Sequence, residues 1–250
     1  MKSPRVYQTE AVIIKRIKLG EADRILTLYT PDYGKLKAIA KGTYRPKSKL
    51  GGHVELLTHS KLLVAKGRNL DIITQAETIN SFITIKDDLD RMSRGLYMLE
   101  LIDSITEENI KNPQLFDLLV NSLCQLSQAS KSDTVLRYFE LHLLDYVGYR
   151  PQLQQCVNCG ASLSPITNRF SPSEGGVLCV NCSDMEQIAR PISLNALKVL
   201  RMWQKCDFSA ASLININAEL SQELEQIMRE YISYMLEKQV KSTSWLDKLK

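Results

Sequence analysis

The sequence predicts a multi-domain α+β chain: a small N-terminal β-barrel of five strands, then an α-helical bundle interrupted by a cysteine-rich insertion. Three observations predict it. Residues 6–77 carry strand patterning, with turn residues between the runs and no helical period. Beyond residue 82, apolar residues recur at steps of three and four. Between about residues 151 and 190 that period stops, and two Cys-x-x-Cys pairs appear instead.

The strands come in order. Val12-Ile13-Ile14 centres a run that is apolar on both faces, as in a buried strand. Arg24–Tyr29 follows. Thr30-Pro-Asp-Tyr-Gly34 then supplies turn chemistry, since proline presets φ and glycine accepts a positive φ. Gly34–Lys41 is a third strand and Val54–Lys66 a fourth. Lys66-Gly-Arg-Asn69 reads as a hairpin loop into a fifth, Leu70–Ala76. Five short strands favour closure, which removes exposed edges, and the five-stranded OB-fold is the economical barrel. Residues 1–81 are assigned to it.

The helical part, residues 82–250, begins with Leu89, Met92, Leu96, Leu99, Ile102 and Ile105 on one face. Asn112-Pro113 offers a cap and a proline at the first position of the next helix. Ser132 or Asp133 can cap a third, whose Val135–Val147 segment is apolar nearly all round and therefore belongs at the centre. Gly148 fits its stop. His142 sits on this buried helix and reads as a core histidine. Two further helices follow Ser193 and Asn217.

The insertion carries Cys156-Val-Asn-Cys159 and Cys179-Val-Asn-Cys182, with 19 residues between the pairs. That is the four-cysteine zinc pattern. Each turn aims two thiolates at one centre, and two turns complete a tetrahedron. No position is left for water, so one structural Zn²⁺ is expected, clamping a segment rich in Ser, Pro, Asn and Gly. Cys124 and Cys206 lie on helical patterns and read as ordinary thiols.

Charge is distributed unevenly. Net charge is +4, but residues 1–82 hold 15 Lys/Arg against 7 Asp/Glu, and the remainder 17 against 21. The N-terminal part is thus at +8 and the rest at −4, which charge alone reads equally as the footprint of a polyanion binder or as a solvated basic face. The densest stretch, Lys41-Gly-Thr-Tyr-Arg-Pro-Lys-Ser-Lys-Leu-Gly-Gly52, has four cations and no acid. On the third strand, alternation puts Leu36, Ala38 and Ala40 on one face and Lys35, Lys37 and Lys41 on the other. Strand and loop would then make one basic surface, with Lys35, Lys37, Lys41, Arg45, Lys47 and Lys49 as phosphate contacts. Tyr33 and Tyr44 stand at its two ends as stacking platforms for bases, with edge-on packing as the other role open to Tyr44.

No phosphate-binding loop, dinucleotide fingerprint or nucleophile elbow occurs. His53-Val-Glu55 with a later Cys-x-x-Cys resembles the zinc deaminase frame, but no proline precedes Cys156 and the second cysteine pair would have no role. The chain therefore reads as a binding protein, not an enzyme. No apolar run approaches the roughly 18 residues of a membrane span, and MKSPRVYQTE lacks a signal-peptide core, so a cytoplasmic location is expected.

Several motifs together resemble the RecO family of bacterial DNA-repair proteins. They are Glu21-Ala-Asp-Arg-Ile, Tyr33-Gly-Lys35 into Lys41-Gly, the basic loop to Lys49, Tyr138-Phe-Glu140 leading to Gly148-Tyr-Arg-Pro151, the two cysteine pairs, and Val240-Lys-Ser242 with Trp245-Leu246. Tyr44 departs from the pattern, since the family tends to have a basic residue there. The resemblance implies an OB-fold that binds single- and double-stranded DNA and anneals complementary strands. It also implies partnership with the mediator RecR and with the acidic C-terminal tail of single-stranded DNA-binding protein, so that the RecA recombinase is loaded onto coated DNA. Two other classes stay open on the residues alone: an RNA-binding or transcription adaptor, and a nucleic-acid enzyme.

Overall fold

The computed structural model describes residues 5–236 except 130, 166, 167, 184, 185 and 187. The motif at Val240–Leu246 and the end of the 82–250 region lie outside the described residues. The chain divides into two compact units, one running to Gln128 and the other starting at Ala129.

The first unit is built on β1 (Val6–Leu19), β2 (Asp23–Thr30), β3 (Gly34–Ala40), β4 (His59–Ala65) and β5 (Asp71–Asn80). They close into a barrel in the order β1–β2–β3–β5–β4. Neighbours are antiparallel except β3 and β5, which run parallel. The 14-residue β1 serves two neighbours. Its first half pairs with β4 and its second with β2, with a register shift between Ile13 and Lys15 where the strand bends.

The expected fourth strand starts later than Val54. Residues Gly51–Val54 form a 3-10 turn, Leu57 takes a positive φ of 54°, and pairing begins at His59. The reason is packing: Val54 drops from that turn into the barrel core beside Ile13, Leu26, Leu28, Leu36, Ala38, Leu62, Val64 and Ile73. A strand cannot both continue the sheet and plug its interior.

Three helices pack on the barrel within this unit: α1 (Ile83–Lys86), α2 (Leu89–Ile105) and α3 (Pro113–Gln128). The Asp88 side chain accepts the Arg91 N–H, and Asn112 Oδ1 accepts the Leu115 N–H at 3.0 Å, each satisfying an amide that the helix itself leaves open. Phe116 of α3 packs against both Tyr29 and His59. The connection between α2 and α3 touches the start of β3, where the Asn109 N–H donates to the Lys35 carbonyl at 2.8 Å. Gly34, at φ 64°, sits so close that a Cβ would lie 2.0 Å from the Ile110 carbonyl oxygen.

The second unit centres on α4 (Ser132–Tyr146), whose Val135, Leu136, Phe139, Leu143 and Leu144 are buried as its pattern demanded. Its cap differs from expectation. Lys131 occupies the cap position without a side-chain bond, and Asp133 lies in the first turn, where it favours the helix dipole. Next come β6 (Asn168–Ser171), β7 (Gly176–Leu178), α5 (Val180–Ser183) and β8 (Arg190–Ile192), then α6 (Leu194–Trp203), α7 (Phe208–Ser212) and α8 (Ala218–Leu236). The Ser193 hydroxyl caps α6 by accepting the Ala196 N–H, and Asn217 Oδ1 accepts the Leu220 N–H at 2.9 Å. His142 is half-buried, its Nε2 2.9 Å from the Trp203 carbonyl. No helix among the described residues is long and apolar enough to cross a membrane.

Candidate functional site

The insertion gathers its cysteines. The Sγ atoms of Cys156, Cys159, Cys179 and Cys182 all lie within 4.8 Å of one another. The first turn is tightened by Gly160, at φ 72°, whose N–H donates to the Cys156 carbonyl at 2.9 Å. The second is the start of α5, where the Cys182 N–H donates to the Cys179 carbonyl at 3.1 Å. The sheet β7–β6–β8 carries this second turn, and Val157 of the first pairs with Val177 of β7. Cys156 is buried with Leu178 and Ala189, and Val157 and Leu163 pack beside them.

The four thiols fit a cation. Cys159 Sγ and Cys179 Sγ are 3.8 Å apart; a tetrahedron with Zn–S near 2.3 Å has edges of about 3.8 Å. Burial raises the Cys156 thiol, but hydrogen bonds with the backbone at Cys159, Cys179 and Asn158 outweigh it and bring it down to about 6. Cys182 is pushed up to about 12 by its hydrogen bonds with Cys159 and Cys179. Four thiols this close cannot ionise together unless a positive charge is shared among them. The group can therefore hold a metal ion, which all four thiolates would ligate.

The basic loop is a built structure. Gly42, at φ 66°, turns the chain out of β3, and its N–H donates to Asp23 Oδ1 at 2.8 Å. The Tyr44 N–H donates to the Ala22 carbonyl at 3.1 Å, so the loop lies along the β1–β2 turn. The Ser48 Oγ then accepts the Leu50 and Gly51 N–H groups. Lys41, Tyr44, Arg45, Lys47 and Lys49 are all exposed, and the four cations have no acidic partner among the described residues. Tyr44 is fixed from beneath. The Arg24 guanidinium lies over its ring, and Arg24 is itself held by Glu55 at 2.7 Å.

The strand part of the expected surface is corrected. Alternation along β3 holds, but Lys35 is buried, its ammonium bonded to the Asp103 carbonyl and paired with Asp103 Oδ1 at 3.5 Å. It is a bridge to α2, its ammonium committed to Asp103. Lys37 is exposed yet paired with Glu108 at 2.5 Å. Between Lys37 and Lys41 stands Ile39, flanked by Ile25 and Ile72 on the neighbouring strands. Of the three lysines predicted for this surface, Lys41 at the loop end of β3 is thus the one without an acidic partner among the described residues.

What sequence reasoning missed is the other wall of that end. The second half of β1 carries the exposed Arg16 and Lys18, and Lys18 pairs across with Arg24. Lys18 Nζ lies 5.8 Å from the Tyr44 ring centroid. The run Lys15-Arg-Ile-Lys18 was the available signal. His53 and Glu55 are placed against the deaminase frame, since His53 Nδ1 meets Thr78 Oγ1 at 2.8 Å while Glu55 takes Arg16 and Arg24.

Comparison with known proteins covers nearly the whole chain. The family model described as Recombination protein O N terminal matches residues 1–82, and Recombination protein O C terminal matches residues 86–244. Among curated relatives, the DNA repair protein RecO of Dehalococcoides mccartyi strain CBDB1 is 42% identical over 250 residues, covering 100% of this chain and 98% of that protein. That of Roseiflexus sp. strain RS-1 is 42% identical over 243 residues, 97% of this chain and 86% of its own length. That of Desulforamulus reducens is 34% identical over 245 residues, covering 98% and 95% respectively.

Proposed function

Because the chain belongs to the RecO family of DNA-repair proteins, we propose that it is a DNA-binding recombination mediator. It binds single- and double-stranded DNA, anneals complementary strands and, with RecR, loads RecA onto DNA coated by single-stranded DNA-binding protein. It works in the cytoplasm, on the nucleoid, and carries out no catalysis. The observation that carries this reading is the group of cations without an acidic partner among the described residues, Lys41, Arg45, Lys47 and Lys49, around the exposed Tyr44 on a closed five-stranded barrel. Cations neutralise phosphates whatever the sequence, and an exposed aromatic ring stacks any base. A site of that kind suits a protein that must handle every sequence.

On this reading residues 1–81 are the DNA-binding domain, an OB-fold by its strand order, buttressed by α1–α3. Arg16 and Lys18 join Lys41, Tyr44, Arg45, Lys47 and Lys49 at the contact surface, and Lys35 positions β3 through Asp103. One Zn²⁺ on Cys156, Cys159, Cys179 and Cys182 folds the insertion of the second domain and does no chemistry. The acidic tail of single-stranded DNA-binding protein docks on the 82–250 region.

The test is strand annealing by the full-length protein on DNA coated with its cognate single-stranded DNA-binding protein. Acceleration over the protein-free rate is expected. No acceleration, with tighter binding to RNA than to single-stranded DNA of the same sequence, would overturn the proposal in favour of an RNA-binding adaptor.

A further inference from the structure

At the opposite end of β3 from the basic loop lies a cavity of about 330 Å³, enclosed by the start of β1, the β2–β3 turn, the β4–β5 loop and the α2–α3 connection. Its size is that of a small-ligand site. The lining includes Tyr7, Tyr33, Lys66, Asn69, Asp71 and Asn109.

The walls are held in place. The Tyr7 and Tyr33 rings pack with centroids 4.6 Å apart. The Tyr7 hydroxyl donates to Asp71 Oδ2 at 2.6 Å, and Asp71 Oδ1 accepts the Gly67 N–H at 3.1 Å. Asn109, at φ 63°, is tied to β3 through its N–H. Gly67 is wedged against the Leu70 carbonyl so closely that a Cβ would lie 1.8 Å from it. The Lys37 and Asp71 charges are thus already answered, by Glu108 and by Tyr7. What stays open among the described residues is an aromatic surface on Tyr33, the side-chain amides of Asn69 and Asn109, and the exposed Lys66 ammonium.

Those three features are complementary to the three parts of a nucleotide. A base offers a π face and a hydrogen-bonding edge, and its phosphate offers a charge. We propose that this cavity receives one unstacked nucleobase of a bound single strand, stacked on Tyr33, its edge met by Asn69 and Asn109 and its phosphate by Lys66. The inference rests on the DNA-binding reading and adds a second anchor to it. From Lys41 to Lys37 along β3 is about 13 Å, so one strand can occupy both the loop and the cavity.

The experiment uses full-length protein and a thymidine oligonucleotide, compared with a strand of equal length that has abasic sites throughout. The wild type should prefer the base-bearing strand. Stacking is worth about 1–3 kcal/mol per base, roughly 5- to 150-fold in affinity. Tyr33→Ala and Asn69→Ala should each shrink that preference at least several-fold without changing the salt dependence, and Tyr33→Phe should restore it. Because Tyr33 also packs on Tyr7, the loop variant Asn69→Ala keeps the test valid if Tyr33→Ala fails to fold. A strand carrying one 5-iodouracil should photocrosslink to Tyr33. Failure of the wild type to bind either strand would sink the DNA reading itself. Full base preference in Asn69→Ala, and in Tyr33→Ala where it folds, with crosslinks only in residues 41–49, would overturn the cavity alone and leave it to a side chain of a protein partner.

Discussion

The central carbon of the Arg24 guanidinium lies 4.2 Å from the centroid of the Tyr44 ring. One face of the ring is therefore occupied by a cation that Glu55 fixes from the other side, while Tyr44 stays exposed as a whole. A base arriving on the free face would extend a stack that already exists, at little cost in ordering. Tyr44→Ala is expected to weaken binding to single-stranded DNA by about 1–3 kcal/mol with an unchanged salt slope. Arg24→Ala should produce part of the same loss. Fluorescence titration at several salt concentrations separates the two terms, and a slope that moves with Tyr44→Ala would assign the residue to charge alignment instead.

If the loop binds DNA as proposed, its cations act through counterion release. Replacing Arg45, Lys47 and Lys49 together by alanine should weaken binding to all sequences alike and flatten the log–log salt dependence by roughly two units, at about 0.7 per lost contact on single strands. Lys35→Ala should leave that slope untouched and instead destabilise the first unit, by about 1–3 kcal/mol, because Asp103 loses a partner at the barrel–helix joint. Denaturant melts of the two variants, set beside their salt titrations, check both halves. An equal effect of Lys35→Ala on the slope would mean that the lysine leaves Asp103 to meet DNA.

Metal should be bound once per chain. Elemental analysis of purified protein is expected to give one zinc ion, and Cys159→Ser should lower both the zinc content and the melting temperature of the second unit before it alters DNA affinity. Full-length protein that is metal-free yet shows the same cooperative melt would contradict the assignment.

Acid should destabilise both units. Burial lowers the His59 pKa, although Glu10 opposes the shift, and burial likewise lowers that of His142 against its bond to the Trp203 carbonyl. A base whose folded pKa lies below its unfolded value holds fewer protons when folded. Its stabilising contribution is complete above the unfolded value, near 6.5, and is lost as pH falls through the folded one. Melting temperature should therefore drop on acidification below about pH 6.5. His142→Gln should blunt that drop for the second unit, as seen by circular dichroism, and an unchanged acid profile would exclude His142 as a contributor.

The cysteine cluster was legible because its whole signal is local: two short turns carry all four thiols, and spacing alone brings them together. The barrel was legible from strand count, alternation and turn residues. Lys35 was not. Alternation places it correctly on the outer face, but its burial depends on Asp103, 68 residues away, and no local pattern encodes that meeting. The same holds for Ile39, whose partners Ile25 and Ile72 come from two other strands. Arg16 and Lys18 were visible as charges, yet their place beside the basic loop depends on that loop folding back onto Ala22, a tertiary hydrogen bond. The late start of the fourth strand was not legible, because the apolar character of Val54 suits a core plug as well as a strand.

The ring of strands is closed unevenly. β3 and β5 pair only over Ala38–Ala40 and Asp71–Ile73, whereas each of the other four junctions pairs seven residues. The main chain of β5 beyond Ile73 therefore has no partner in β3. A partner that meets the unit through side chains and loops can be displaced without that short seam having to part.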